Sequence, residues 1–190
     1  MRHLRIYFTW ILVALLATTL TAQKGSSNRV GGIRAGYNGA ALVMNGDLYP
    51  LSTGYPSFYA GFFRDNKIIP LLHAGTGLEY VQNGMQFDED NKRALHYVSI
   101  PLDLKVKLGP VFALGGIAPS FKVAEREFVN GDSMKPDSDD TSNWFDAPLF
   151  VGAGLKVAFF TVEIRYHWGL ADVYQGYHNQ YLQIGGGISF

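Results

Sequence analysis

The sequence has no cysteine, which excludes a disulfide framework, a thiol nucleophile and a lipidated cysteine as a membrane anchor. It has no excess of charge of either sign. Sixteen Lys and Arg balance sixteen Asp and Glu, so no basic surface of the kind that grips nucleic acid is expected, and no nucleic-acid partner. Beyond residue 23 no apolar run approaches the roughly 18 residues of a transmembrane helix. What the sequence does have is glycine, 22 residues of it, and aromatics at 14%. That pairing suits strands joined by tight turns, and the length of 190 residues suits one domain with its own core.

The first 22 residues differ from the rest. Arg2, His3 and Arg5 make a positive start, FTWILVALLATTL an apolar centre, and LTA before Gln23 a small-residue cleavage site. This is the pattern of a secretory signal peptide, expected over 1–22, with the mature domain over 23–190.

Alternation then dominates. In YVSIPLDLKVKLG, Val98, Ile100, Leu102, Leu104, Val106 and Leu108 fall on one face and Tyr97, Ser99, Pro101, Asp103, Lys105 and Lys107 on the other. Period 2 is the mark of a half-buried strand. Phe160, Val162, Ile164, Tyr166 and Trp168 repeat it against Thr161, Glu163, Arg165 and His167, and Leu149, Val151, Ala153, Leu155 and Val157 repeat it against Phe150, Gly152, Gly154 and Lys156. The last segment, YLQIGGGISF, sets Leu182, Ile184, Ile188 and Phe190 against Tyr181, Gln183, Gly185, Gly187 and Ser189. Weaker strands are expected over 29–38, 57–64, 68–81 and 110–123, giving eight in all. The register of 110–123 is ambiguous, because Phe112, Leu114 and Ile117 do not share a face.

Connections between these strands alternate long and short: 39–56 long, 65–67 short, 82–95 long, Gly109–Pro110 short, 124–144 long, Ala158 short, 170–178 long. Antiparallel neighbours joined this way place tight turns at one end and long loops at the other, as in outer-membrane barrels. A last strand with an open edge needs a partner, and pairing with the first strand supplies it by closing the wall. Phe190 would then complete that wall at the short-turn end.

A secreted soluble calyx binding an apolar ligand would alternate in the same way with its apolar face inward. Glycines on the polar face (Gly75, Gly77, Gly152, Gly154, Gly185, Gly187) and aromatics near strand ends on the apolar face (Tyr37, Tyr80, Phe160, Trp168, Phe190) favour the inverted arrangement. The expected fold is therefore all-β, an eight-stranded antiparallel up-and-down transmembrane β-barrel in the outer membrane. Val98, Ile100, Leu102, Leu104, Val106, Val162, Ile164, Leu182, Ile184, Ile188 and Phe190 are expected to face lipid. Arg34, Glu79, Asp103, Lys105, Lys107, Lys156, Glu163, Arg165 and His167, with His73 beside them, are expected in the lumen. Eight strands leave a bore just wide enough for side chains, so these charges should pair with one another and plug it.

GIRAGYN near the mature start, GLEYVQNG at 77–84, YVSIPLDLKVKLG at 97–109, RYHWGL at 165–170 and a glycine-rich final strand ending in Phe together resemble the PorT-like outer-membrane β-barrel proteins of Gram-negative bacteria, a porin family. The resemblance spans nearly all of the mature chain. It implies an eight-stranded barrel in the outer membrane and little about activity, since the family's namesake looks like an accessory of a protein-secretion system. A terminal aromatic on an alternating strand also resembles the signal that outer-membrane assembly machinery selects.

The expected role is a structural or interaction scaffold of the cell envelope, acting through its loops. Its partners would be outer-membrane lipid, the assembly machinery and proteins of an envelope or secretion complex. The alternative is a narrow channel for ions or small solutes. No enzyme activity, cofactor or catalytic residue is expected: His96 and Ser99 lie on opposite faces, and Glu163 and His167, though on one face, stand roughly 13 Å apart along a strand. Asp137, Asp139 and Asp140 could cluster around a cation, but their spacing does not match an EF-hand, and a solvated acidic loop is expected there, with no metal site. The stiff, amphipathic Tyr49–Pro50 and Tyr55–Pro56 make 39–56 the other candidate contact loop.

Overall fold

Where apolar and polar residues alternate, successive side chains leave opposite faces of a strand, and the chain builds a wall from them. A computed structural model describes residues 29–44, 47–48, 53–86, 91–129, 132–134, 143–171 and 178–190. The expected leader at 1–22, Tyr49–Pro50 and the carboxylates Asp137, Asp139 and Asp140 lie outside these residues. Thirteen strands are present among them: β1 (Arg29–Met44), β2 (Asp47–Leu48), β3 (Thr53–Lys67), β4 (Leu72–Gln86), β5 (Lys92–Ser99), β6 (Leu102–Leu108), β7 (Val111–Ile117), β8 (Ser120–Val129), β9 (Asp132–Met134), β10 (Phe145–Asp146), β11 (Leu149–Val157), β12 (Phe160–Trp168) and β13 (His178–Ser189).

They form one closed antiparallel barrel of eight staves. β5 continues into β6, β7 into β8, and β10 into β11. The lower half of β4 pairs with β6 and its upper half with β5. β13 pairs with β1 over a long register, from Gly32 opposite Ser189 to Val43 opposite His178. The Phe190 amide adds a bond to the Gly31 carbonyl, 2.9 Å. This pairing removes the edge that an open terminal strand would expose.

The three broken staves break at proline. Pro101, Pro119 and Pro148 stand on adjacent staves, Pro101 and Pro148 on either side of Ala118 and Pro119 one residue along. The Pro101 carbonyl accepts from the Gly77 amide (3.0 Å), the Pro119 carbonyl from Ile100 (2.8 Å) and the Pro148 carbonyl from Ala118 (2.8 Å). Each ring withholds the return bond, because proline has no N–H. A side chain fills one of these gaps: the Ser120 hydroxyl donates to the Ala118 carbonyl at 2.7 Å. Beside Pro148, the Asp146 carboxylate accepts from the Ala147 amide at 2.8 Å.

Alternation passes through the prolines without a change of face, which settles the ambiguous register. Phe112, Leu114, Ala118 and Ser120 point inward, whereas Val111 and Phe121 point outward. Parity changes later, at a β-bulge. His96 pairs with Ala124 and Tyr97 with Lys122, so Val123 is the extra residue.

The first tight turn differs from expectation. Asp65, Asn66 and Lys67 have turn-like composition, yet they pair with Gly75, Ala74 and His73 as the end of β3. The turn is Ile68–Leu71, closed by the Ile68 amide bonding the Leu72 carbonyl at 2.9 Å. The strands also outrun the expected loops, as β1 continues to Met44 and β3 starts at Thr53.

The other two turns are two-residue hairpins. Gly109 takes φ 65° before Pro110, the sign pattern of a type II′ turn. Ala158 holds φ 54° at the equivalent place, where an L side chain is disfavoured. Ala158→Gly is expected to stabilise the barrel by about 1 kcal/mol, read as a higher urea midpoint at unchanged slope. Gly109→Ala should lower the midpoint by a similar amount.

Candidate functional site

The aliphatic face is outside. Leu102, Leu104, Val106, Val162, Ile164, Ile184, Ile188 and Phe190 are exposed large apolar side chains, as is Ile100; Val98 and Leu182, on the same outward faces, are half-buried. A calyx with its apolar face inward is overturned by this orientation. Toward the loop end the outer wall carries a ring of aromatics: Phe58 against Tyr80 (5.6 Å between centroids), Phe121 against Trp144 (6.0 Å) and Phe145 (5.4 Å), and Tyr166 against Trp168 (4.7 Å). Phe159 and Phe160 meet at 4.2 Å at the turn end. Aromatic girdles at both ends of an apolar band are the outer-membrane pattern.

The charged face is inside, and its residues form separate groups. At mid-barrel Arg34, from β1, pairs with Glu79 on β4 and lies 3.4 Å from Glu163 on β12. Arg165, the most deeply buried of them, reaches Glu79 at 3.1 Å and Glu163 at 3.3 Å. Two guanidiniums and two carboxylates thus share one buried cluster, with the Arg165 guanidinium 4.9 Å above the Tyr59 ring. Toward the turn end Lys105 bonds both oxygens of Asp65 at 3.0 Å, and Lys107 bonds one of them at 3.0 Å. Lys156 lines a small cavity together with these three residues. Asp103 is buried between the two groups. His73 is half-buried opposite Lys105 on the neighbouring strand.

Glycine makes room for these groups from the facing strand. A Cβ on Gly75 would strike the Asp103 carboxylate, and one on Gly152 would come within 2.9 Å of Arg165 Cγ.

His167 lies in an aromatic stack, with its ring 4.8 Å from Phe150 and 4.2 Å from Tyr181. Above it Asn38 bonds Asn83 at 2.8 Å, and Asn179 bonds Asp146 at 3.1 Å. A last group lies beyond the girdle, where Arg93 bonds Glu125 at 2.7 Å and Lys122 bonds its other oxygen. Burial raises the Glu125 carboxyl, but the Lys122 hydrogen bond and the Arg93 charge outweigh it and hold the group below the usual carboxylate range.

The sequence reading missed Asp65, hidden in a segment that resembles a turn. Period 2 would have found it, because Tyr59, Gly61, Phe63 and Asp65 share one face. Tyr97 and Tyr181, on the polar face in the sequence, do point inward and are nearly fully buried, and Tyr59, for which the sequence assigned no face, joins them. A cavity of about 10 Å³ lies among the inner side chains, lined by Arg34, Asp65, Lys105 and Glu163 among others, room for on the order of one water.

The pairs weighed for catalysis do not meet. His96 lies on the outer wall and shares a hydrogen bond with Tyr80, while Ser99 is buried and accepts from Ser120 at 2.9 Å. Glu163 is held by arginines and His167 by rings. Among the described residues no group of three or more His, Asp and Glu is placed to hold a metal ion.

Residues 21–175 match the family described as the outer membrane protein beta-barrel domain. The fold is similar to that of Ail, the attachment invasion locus protein of Yersinia pestis, solved in complex with the heparin analogue sucrose octasulfate: TM-score 0.53 and 13% identity over 86% of this chain and 99% of that one. It is likewise similar to neisserial surface protein A, with a TM-score of 0.53 and 14% identity over 88% of this chain and all of that one (100%). No curated protein matches the sequence.

Proposed function

Because the chain belongs to the outer membrane protein beta-barrel domain family, and so sits in the outer membrane, we propose that it is a plugged barrel serving the envelope as a scaffold. Its lumen holds the wall in shape and conducts nothing; its loops and outer wall do the work. The observation that carries this reading is the buried cluster of Arg34, Glu79, Glu163 and Arg165, which spans β1, β4 and β12 and borders a cavity of about 10 Å³. A bore of eight strands has no spare width once such side chains fill it.

The aliphatic outer face is the surface that meets lipid. Loop-end residues, carried on strands that outrun the membrane band, are the surface for partner proteins. The stretches that resemble PorT-like proteins support a place beside a secretion or envelope complex, and the alternating final strand supports recognition by assembly machinery.

Planar-bilayer conductance of residues 23–190, refolded in detergent, tests the plug. The expected result is a protein that inserts, shows heat-modifiable mobility and stays electrically silent. Discrete steps whose ion selectivity changes with Lys105→Glu would replace the plug with a narrow channel.

A further inference from the structure

The acids of the β5–β8 pair all face inward, while its bases stand on both faces. Glu125 points inward to Arg93 and Lys122, and Glu127 stands opposite Arg93 on the same inner face. The outer face keeps Lys92, His96 and Arg126. Arg126 is exposed and makes no ion pair among the described residues; Lys92 rests its ammonium 5.1 Å from the Phe128 ring.

These three bases line a groove of about 410 Å³ on the outside of the wall, between Tyr80 and Phe128. The groove exists for two reasons. Its lining includes the small residues Ala94 and Ala124, and the bulge at Val123 bends β8 at that point. When the Tyr80 hydroxyl donates to His96 Nδ1, Nε2 carries the ring proton and is a donor.

Position selects the occupant. In the ladder, Tyr80, Val98, Phe121 and Phe145 stand abreast, and they belong to the loop-end margin of the apolar band. His96 is one two-residue step beyond that row and Arg126 a further step. Each step advances roughly 6.7 Å along a strand, and tilt shortens its height. Lys and Arg side chains reach back over such distances. Val123, 58% exposed, lines the groove, and Phe121, 38% exposed, stands beside it in the band, so apolar side chains border the cationic groove on the membrane side. A soluble anion has no use for that apolar floor. A lipid whose chains lie on Phe121 and Val123 brings its phosphate to the three bases.

We propose that the outer wall of β4, β5 and β8 at the loop end is a binding site for a membrane lipid whose phosphate headgroup is net anionic, with Arg126, Lys92 and His96 holding the phosphate. Guanidinium grips phosphate through paired N–H groups, and Lys92 adds a point charge. The proposal rests on the outer-membrane location and is independent of whether the lumen is plugged.

The test uses the full chain refolded into phosphatidylcholine nanodiscs, with or without a minor fraction of diphosphorylated lipid A, read by lipid retention in native mass spectrometry and by the temperature of the heat-modifiable shift. Wild type is expected to retain lipid A and melt higher with it. The double variant Arg126→Gln with Lys92→Gln should keep its melting temperature in phosphatidylcholine and bind lipid A roughly thirtyfold more weakly. Lys67→Gln, at the opposite end of the barrel, should bind as wild type. Should the double variant fail to fold, Arg126→Lys is expected to fold and still weaken retention, because it keeps the charge and loses the paired donors. Equal retention by wild type and variant would overturn the proposal. So would an equal rise in melting temperature with inorganic phosphate or a soluble sulfated oligosaccharide, which would make the groove a site for soluble anions.

Discussion

Glu79→Ala is expected to destabilise the barrel by about 3–5 kcal/mol, the cost of leaving buried charge without its partner. Glu79 is 2% exposed and accepts from both Arg34 and Arg165. Without it, Glu163 alone faces two guanidiniums at 3.3 and 3.4 Å. Arginine cannot relieve the imbalance by losing its proton, so the strain must appear as lost stability or as water drawn into the lumen. Glu79→Gln keeps the shape and removes the charge, and should fall between wild type and alanine. Pairing Glu79→Ala with Arg165→Met should recover part of the loss, because it removes one of the stranded charges. Urea unfolding of refolded protein in vesicles, followed by heat-modifiable mobility, measures all three. A cost for Glu79→Ala below about 1 kcal/mol, the range of exposed pairs, would mean that water already screens the cluster.

Leu104→Arg tests the opposite face of the wall with a charge of the same kind. Leu104 is 55% exposed, midway along its stave between the turn at Gly109 and the row of Tyr80 and Val98. An arginine on the lipid face near the midplane costs about 2–4 kcal/mol, falling to about 0–1 kcal/mol near the interface. The expected signature is therefore a depth profile: a large loss for Leu104→Arg and a small one for Leu108→Arg beside the turn. The neighbouring Lys105 already carries a charge without such a cost, because it points inward onto Asp65. Equal losses at 104 and 108 would contradict a membrane band centred on Leu104.

The sequence was most legible where the chain alternates without interruption. β11, β12 and β13 lie where period 2 places them, because lipid outside and a filled bore inside allow no slip by one residue. Legibility failed where composition and pairing disagreed. Asp65-Asn66-Lys67 has the polarity of a turn, yet its carboxylate is the partner of Lys105 and Lys107, and the real turn is the apolar Ile68-Ile69-Pro70-Leu71. Apolar residues are tolerated there because the turn adjoins the membrane band. The charged residues of the lumen were readable from their parity, but which acid meets which base was not. Partners such as Arg34 and Glu163 lie on strands brought together only by closure, and no local pattern encodes that. The outer groove was invisible for a similar reason: it depends on one extra residue, Val123, that shifts β8 against β5.

The cluster of Pro101, Pro119 and Pro148 also bears on the chain before it becomes a barrel. An outer-membrane strand is long, alternating and β-prone, and while unfolded in water it can template on any other copy. Runs of such residues without proline or charge are the segments most prone to cross-chain stacking. SIPLD, IAPSF and DAPLF each place a proline inside a stave that would otherwise be such a run. The finished wall loses three backbone bonds, and the Ser120 hydroxyl replaces one of them. In transit, the same three rings act as chain-length limiters on aggregation, keeping the apolar stretches short until closure with β1 gives every edge its proper neighbour.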